Sequence, residues 1–287
     1  MPAAIALALT AAFCFGLGLI LSQIGLRGIA PIAGAAISIP TSTVLLLIVA
    51  AFSLDLHTLS WTAVAIFAAV GLLYPAGGTL LTFAANRRLG PVITGTFGNL
   101  APLFAVTIAF LFLGEPLQPG QLVGLAVIVA GVMVLTISRG RGSTHWRSWY
   151  LVLPLIASAI RGLGQPTIKY GLTLWPSPIA ASLIGYIVST AIVLIAVCGQ
   201  SGRFIAQGPA PARLAFAGVG IANATAVLLL YLALARGPVT LVSPLVATFP
   251  LATIAIGAII YRRIDGGPRL LLGVAMTVAG VALLIAG

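Results

Sequence analysis

Arg161 is the residue of this sequence that most invites a chemical reading. It sits about twelve residues past Trp149 within an apolar stretch, roughly 18 Å along a helix at 1.5 Å per residue and so near the centre of a bilayer. A cation at that depth costs about 2.5–3.5 kcal/mol on insertion scales and has to face a cavity or a partner. The chain has three acids, Asp55, Glu115 and Asp265, and none falls within an apolar stretch. The guanidinium fork then suits a carboxylate or phosphate of a solute. The competing reading is structural: Arg161 caps backbone carbonyls freed near Pro154 or Pro166, or orders cavity water.

Other polar groups share this depth. Gln165-Pro166 lies one helical turn beyond Arg161 on a similar face. Tyr74-Pro75, followed by Gly77-Gly78, falls in the middle of the third apolar stretch, and Asn223 in the aligned part of the eighth. Asn99 lies three residues before Pro102 in the fourth, and Ser243 precedes Pro244 in the ninth. Proline frees backbone carbonyls, which membrane depth tolerates only where protein or a water-filled cavity satisfies them. Pro75, Pro102, Pro166 and Pro244 are therefore expected to break helices near a cavity. Polar groups so placed also bridge helices. Taken together, Arg161, Tyr74, Asn99, Gln165, Asn223 and Ser243 form a candidate substrate-binding set at the midplane, with Tyr186 and Tyr231 as weaker candidates.

Catalysis is not expected. Hydrolytic or transfer chemistry needs paired carboxylates or a nucleophile with a base, and no apolar stretch holds His, Asp or Glu. No metal-ligand spacing exists, no cofactor is implied, and Cys14 and Cys198 read as small buried side chains. Lys169, near one helix end, is expected to snorkel to the interface. Trp61, Trp146, Trp149 and Trp175 flank the apolar stretches and read as interface anchors.

The elements that must hold these residues are membrane spans. Apolar residues make up 61% of the 287 and charged residues 6%, against about 45–50% and about 25% in soluble domains. Alternation at period two is absent, which argues against a barrel. Met1–Thr10 lacks the basic start of a signal peptide and runs into a full-length span. Ten helices are expected, at about 3–24, 30–52, 62–85, 91–113, 118–137, 149–170, 178–198, 212–235, 239–260 and 268–286.

The net charge of +11 reflects where arginine is placed and implies no nucleic-acid partner. The odd-numbered loops carry Arg27, Arg87, Arg88, Arg139, Arg141, Arg147, Arg203, Arg213, Arg262, Arg263 and Arg269, and the even ones only Lys169 and Arg236. Short Lys/Arg-rich loops stay cytoplasmic, so both termini are expected outside.

The sequence repeats itself. Gly16-Leu17-Gly18 with Gly25-Leu26 recurs as Gly162-Leu163-Gly164 with Gly171-Leu172. Pro31-Ile32 recurs as Pro178-Ile179, Gly90-Pro91-Val92 as Gly237-Pro238-Val239, and Gly124 and Gly131 as Gly273 and Gly280. The organisation is thus a first five-helix unit over 1–138, a basic linker over 139–148 and a second unit over 149–287. An odd number of spans per unit makes the second copy enter the membrane from the opposite side, the inverted-repeat plan of secondary transporters. The fold class expected is all-α and polytopic, with ten transmembrane helices in two inverted repeats.

The run Ala101-Pro102-Leu103-Phe104, Leu111-Phe112-Leu113-Gly114-Glu115-Pro116-Leu117 and Gln121-Leu122-Val123-Gly124 resembles the signature of EamA-type members of the drug/metabolite transporter superfamily. Its Gly-Glu-Pro reads as a turn closing the fourth span, and the second copy has Tyr261-Arg262-Arg263 instead. The resemblance implies a bacterial inner-membrane exporter of amino acids or related metabolites, working by alternating access. Small multidrug resistance proteins of the same superfamily use a first-span glutamate to exchange protons for cationic drugs. The first span here holds no acid, which favours an anionic or zwitterionic solute. Other anionic or phosphorylated metabolites and sugars remain alternative substrates. The expected partners are a small-molecule substrate and the lipid bilayer, and two fused repeats can serve as a self-sufficient monomer.

Overall fold

The structure is a computed structural model that describes residues 1–55, 59–98, 100–138, 148–201, 208–261 and 268–286. Among these, the chain forms twelve α-helices and one short 3-10 turn, Ser148–Leu151, with no strand. The helices are α1 (Pro2–Gly25), α2 (Pro31–Ser53), α3 (Trp61–Leu73), α4 (Ala76–Gly98), α5 (Ala101–Leu113) and α6 (Pro119–Ser138). The second half has α7 (Val152–Leu174), α8 (Pro178–Ser201), α9 (Ala210–Arg236), α10 (Val239–Val246), α11 (Phe249–Tyr261) and α12 (Pro268–Ala286). Proline opens α1, α2, α6, α8 and α12, where its missing N–H costs no helical hydrogen bond. Gly114 closes α5 in the left-handed region at φ 64°, a conformation that a Cβ makes costly.

Eight helical segments are long and apolar enough to cross a bilayer, and α3 with α4, like α10 with α11, contributes to one such segment across a break. Two further apolar helices, Ala101–Leu113 and Pro119–Val134, are shorter. The expectation of ten full-length spans is therefore met only in part. The 13 residues of α5 reach about 20 Å against the roughly 30 Å of hydrocarbon.

The shortfall lies where the first half departs from the expected loop. One helix, α4, runs on through Arg87, Arg88, Gly90 and Pro91. The matching Arg236-Gly237-Pro238 does separate α9 from α10. The second break has side chains to take its freed groups, as described below, whereas Gln23 and Arg262 stand in the aligned places for the first. Without outside partners a low-dielectric backbone closes its own hydrogen bonds.

Many large apolar side chains point outward, while small ones fill much of the interior beside a few large ones such as Phe67 and Phe216. Phe52, Phe112 and Ile259 are 87%, 80% and 76% exposed, whereas Ala4, Ala8, Ala63 and Ala105 are fully buried. This is the distribution of a bundle solvated by lipid, in which close approach rather than water exclusion holds helices together. Helix pairing has two-fold pseudo-symmetry. α1 packs on α9 and α11 as α7 packs on α3, α4 and α5; α2 packs on α9 as α8 does on α3; α2 meets α8, and α6 meets α12, each its own counterpart.

The repeated glycines do the same job in both halves. A Cβ on Gly16 would come within 2.9 Å of the Thr253 nitrogen on α11, and one on Gly162 within 2.6 Å of the Ala101 oxygen on α5. Likewise Gly25 lies under Phe216 and Gly171 under Phe67.

Candidate substrate cavity

The two halves enclose a cavity of about 150 Å³ between α1, α3, α4, α5, α7, α9, α10 and α11. Five of the six expected binding residues line it: Tyr74, Arg161, Gln165, Asn223 and Ser243. Asn99 lies outside the described residues. Tyr74 sits at the break between α3 and α4, beside a cis bond to Pro75. Arg161 and Gln165 stack one turn apart on α7, Asn223 faces Gly18 of α1 from α9, and Ser243 belongs to α10. Phe15, Phe83 and Phe249 supply apolar wall.

Among the described residues Arg161 is the only charged one on this lining. Its Nη2 donates a long 3.4 Å bond to Thr82 Oγ1, whose own proton goes to the Gly78 carbonyl at 2.7 Å. The guanidinium carbon stands 5.9 Å from the Tyr74 ring centroid. Among the described residues four side-chain polar atoms are buried with no hydrogen-bond partner, Arg161 Nε, Gln165 Oε1, Ser243 Oγ and Trp175 Nε1, and the first three belong to residues that line the cavity. Buried polar atoms are nearly always partnered, so three such atoms on one cavity stand out. Arg161 accordingly does not cap the carbonyls near Pro154 or Pro166. The Pro154 carbonyl instead accepts from Ser158, which also bonds Phe97 and ties α7 to α4.

The proline expectations divide. Pro75 lies between α3 and α4, and Pro102 opens α5 and lines the cavity. Pro166 and Pro244 do not break their helices: α7 and α10 run through them. A single lost N–H bends or weakens a helix without ending it when neighbouring helices support the turn, and Pro166 is buried in that packing. The break in the ninth span comes later, at Ala247-Thr248. Tyr186 and Tyr231 are buried in the core and do not line the cavity.

Two charged residues turn out differently from the sequence reading. Lys169 does not snorkel: its ammonium donates to the Leu234 and Gly237 carbonyls, at 2.5 and 2.9 Å, where α9 ends. Glu115 does more than sit in a turn. Its two carboxylate oxygens accept the Val239 and Thr240 N–H groups at the start of α10, each at 2.9 Å. Both ends of the α9–α10 break are thus capped by opposite charges, each matched to its helix dipole. By the charge count the only lysine and two of the three acids, Asp55 and Glu115, fall at the same membrane face, which does not single out this pair. Trp175 is also no interface anchor, being buried against Phe67, while Trp61 and Trp149 are exposed as expected.

An apolar helical bundle whose two pseudo-symmetric halves close on one polar cavity has the layout of a membrane transporter. The EamA-like transporter family matches residues 2–137 and again 148–286. The chain belongs to this family, and it is a multi-pass membrane protein of a class that moves small molecules. A solved crystal structure superposes with a TM-score of 0.81 at 18% identity, covering 98% of this chain and 95% of the other, which speaks for the fold alone. No curated protein matches the sequence.

Proposed function

We propose that this protein exports small carboxylate-bearing metabolites, amino acids foremost, by alternating access across a bacterial inner membrane. The two units are inverted repeats that rock about the cavity, and both termini face outward. The observation that carries the reading is Arg161, whose Nε is buried without a hydrogen-bond partner and which meets no acidic side chain among the described residues of a cavity otherwise lined by aromatic, apolar and neutral polar groups. A carboxylate supplies the missing charge and acceptor in one group. The 150 Å³ volume suits a compact solute. The arginine-rich loops favour the cytoplasmic side for loading anions, through attraction near the entrance.

The test is uptake of labelled amino acids into liposomes holding purified protein, with Arg161→Ala and Arg161→Lys alongside. Saturable uptake that Ala abolishes and Lys recovers only in small part, in variants that purify as folded protein, is the expected result. Uptake indifferent to both substitutions would remove Arg161 from the site. Absence of uptake for every amino acid, with organic acids or phosphorylated metabolites carried instead, would overturn the substrate class and leave transport standing.

A further inference from the structure

The polar atoms of the cavity differ in kind, and their order along α7 is informative. Arg161 Nε is a donor without an acceptor, and Gln165 Oε1 is an acceptor without a donor. Gln165 is 6% exposed and lines the cavity, so its amide is held there. The two residues are four apart on one helix, about 6 Å along the axis. A pair of functional groups on neighbouring ligand atoms can span that separation with one hydrogen bond at each end. The guest is then an acceptor anion with a donor next to it.

The charge of that donor is a separate matter. An ammonium group buried away from water needs a carboxylate or several aligned carbonyls to offset its lost hydration. Among the described residues no acidic side chain lines this cavity. Asp55 and Asp265 lie outside the apolar stretches, and Glu115 is committed to the α10 backbone. A neutral hydroxyl meets the Gln165 carbonyl with a smaller desolvation cost.

Resting on the proposed carboxylate transport, we propose that the cavity selects a carboxylate with a hydrogen-bond donor on the adjacent carbon and does not require that donor to be charged. α-Hydroxy acids with an apolar side group are then ligands at least as good as α-amino acids. Phe15, Phe83 and Phe249 receive the side group, and Arg161 and Gln165 read the head.

Four compounds of one skeleton separate the terms: L-leucine, 2-hydroxy-4-methylpentanoate, 4-methylpentanoate and leucinol. Binding is followed at neutral pH as ligand-dependent thermal stabilisation of detergent-purified protein, and as inhibition of uptake in liposomes. The hydroxy acid is expected to bind at least as tightly as leucine, and the compounds lacking the donor or the carboxylate weaker than the hydroxy acid by about tenfold or more, the scale of one unmet buried hydrogen bond. Gln165→Leu is expected to bring the first two down to the level of 4-methylpentanoate. Should that variant fail to fold, the series on the unaltered protein decides alone. Leucine binding with a hydroxy acid tenfold weaker would overturn this inference while leaving amino-acid transport intact. So would 4-methylpentanoate binding as tightly as the hydroxy acid. Failure of all three carboxylates to bind would overturn the carboxylate reading itself, and this inference with it.

Discussion

At the scale of single residues, Glu115 and Lys169 act on the two sides of one backbone break. Glu115 takes two N–H groups that would otherwise be orphans at the start of α10, and Lys169 takes two carbonyls where α9 ends. Hydrogen bonds with one charged partner are worth about 1.5–3 kcal/mol each when their loss leaves the other group buried and unmet. Glu115→Ala is therefore expected to lower the unfolding temperature in detergent clearly, Glu115→Gln by less, and Lys169→Met by an amount like that of Ala. Because both residues hold the same break, the Glu115→Ala/Lys169→Met double variant should be less destabilised than the two single losses added together. Strict additivity would show that the caps are independent. Neither role was legible from the sequence, since a carboxylate's partner 124 residues away leaves no local pattern. The Arg161 environment was legible, because a cation deep in an apolar stretch with no acid nearby restricts its surroundings to a few kinds.

At the scale of elements, the repeated glycines carried the most reliable information. Gly16 with Gly162, and Gly25 with Gly171, mark equivalent helix crossings, and the structure uses them equivalently. Length and continuity were less legible. The Gly-Pro pair at Gly90-Pro91 looks like that at Gly237-Pro238, yet only the second separates two helices, and there Glu115 and Lys169 satisfy the ends. Pro166 misled for the related reason that helix continuity depends on neighbours. The α6–α12 crossing offers a direct test. A Cβ on Gly124 would stand 2.7 Å from the Leu284 nitrogen, and one on Gly280 2.7 Å from the Ile128 nitrogen. Gly124→Leu must force the two backbones apart, and overpacking of this kind costs about 1–3 kcal/mol or more. It should abolish the monodisperse peak in detergent size-exclusion chromatography. Gly77→Ala, where nothing stands within 4 Å of the added atom, should leave it unchanged. Equal tolerance of both would mean that α6 and α12 do not rely on backbone proximity.

At the scale of the whole molecule, the position of the Glu115 contact bears on the proposed rocking motion. Glu115 belongs to the first half and α10 to the second, so its two hydrogen bonds join the halves. The cavity lining on α7 runs from Pro154 to Gln165 and stops a turn short of Lys169. The lining thus leans toward the arginine-rich loops, and the capped break lies at the opposite end, the one bearing the termini. Opening that end by relative motion of the halves requires Glu115 to release α10. Weakening the contact should shift the population toward the state open at the termini, by at most the free energy of the bonds removed. With Cys14 and Cys198 replaced by alanine, a cysteine at the cavity-lining Val246 reports access and one at exposed Gln118 marks the termini face. An impermeant maleimide should label Val246→Cys chiefly from the arginine-rich face, and adding Glu115→Gln should raise labelling from the termini face severalfold. Unchanged labelling would confine Glu115 to stability. Equal labelling from both faces in the parent protein would mean that the capped break closes nothing, and the proposed motion would have to find its gate elsewhere.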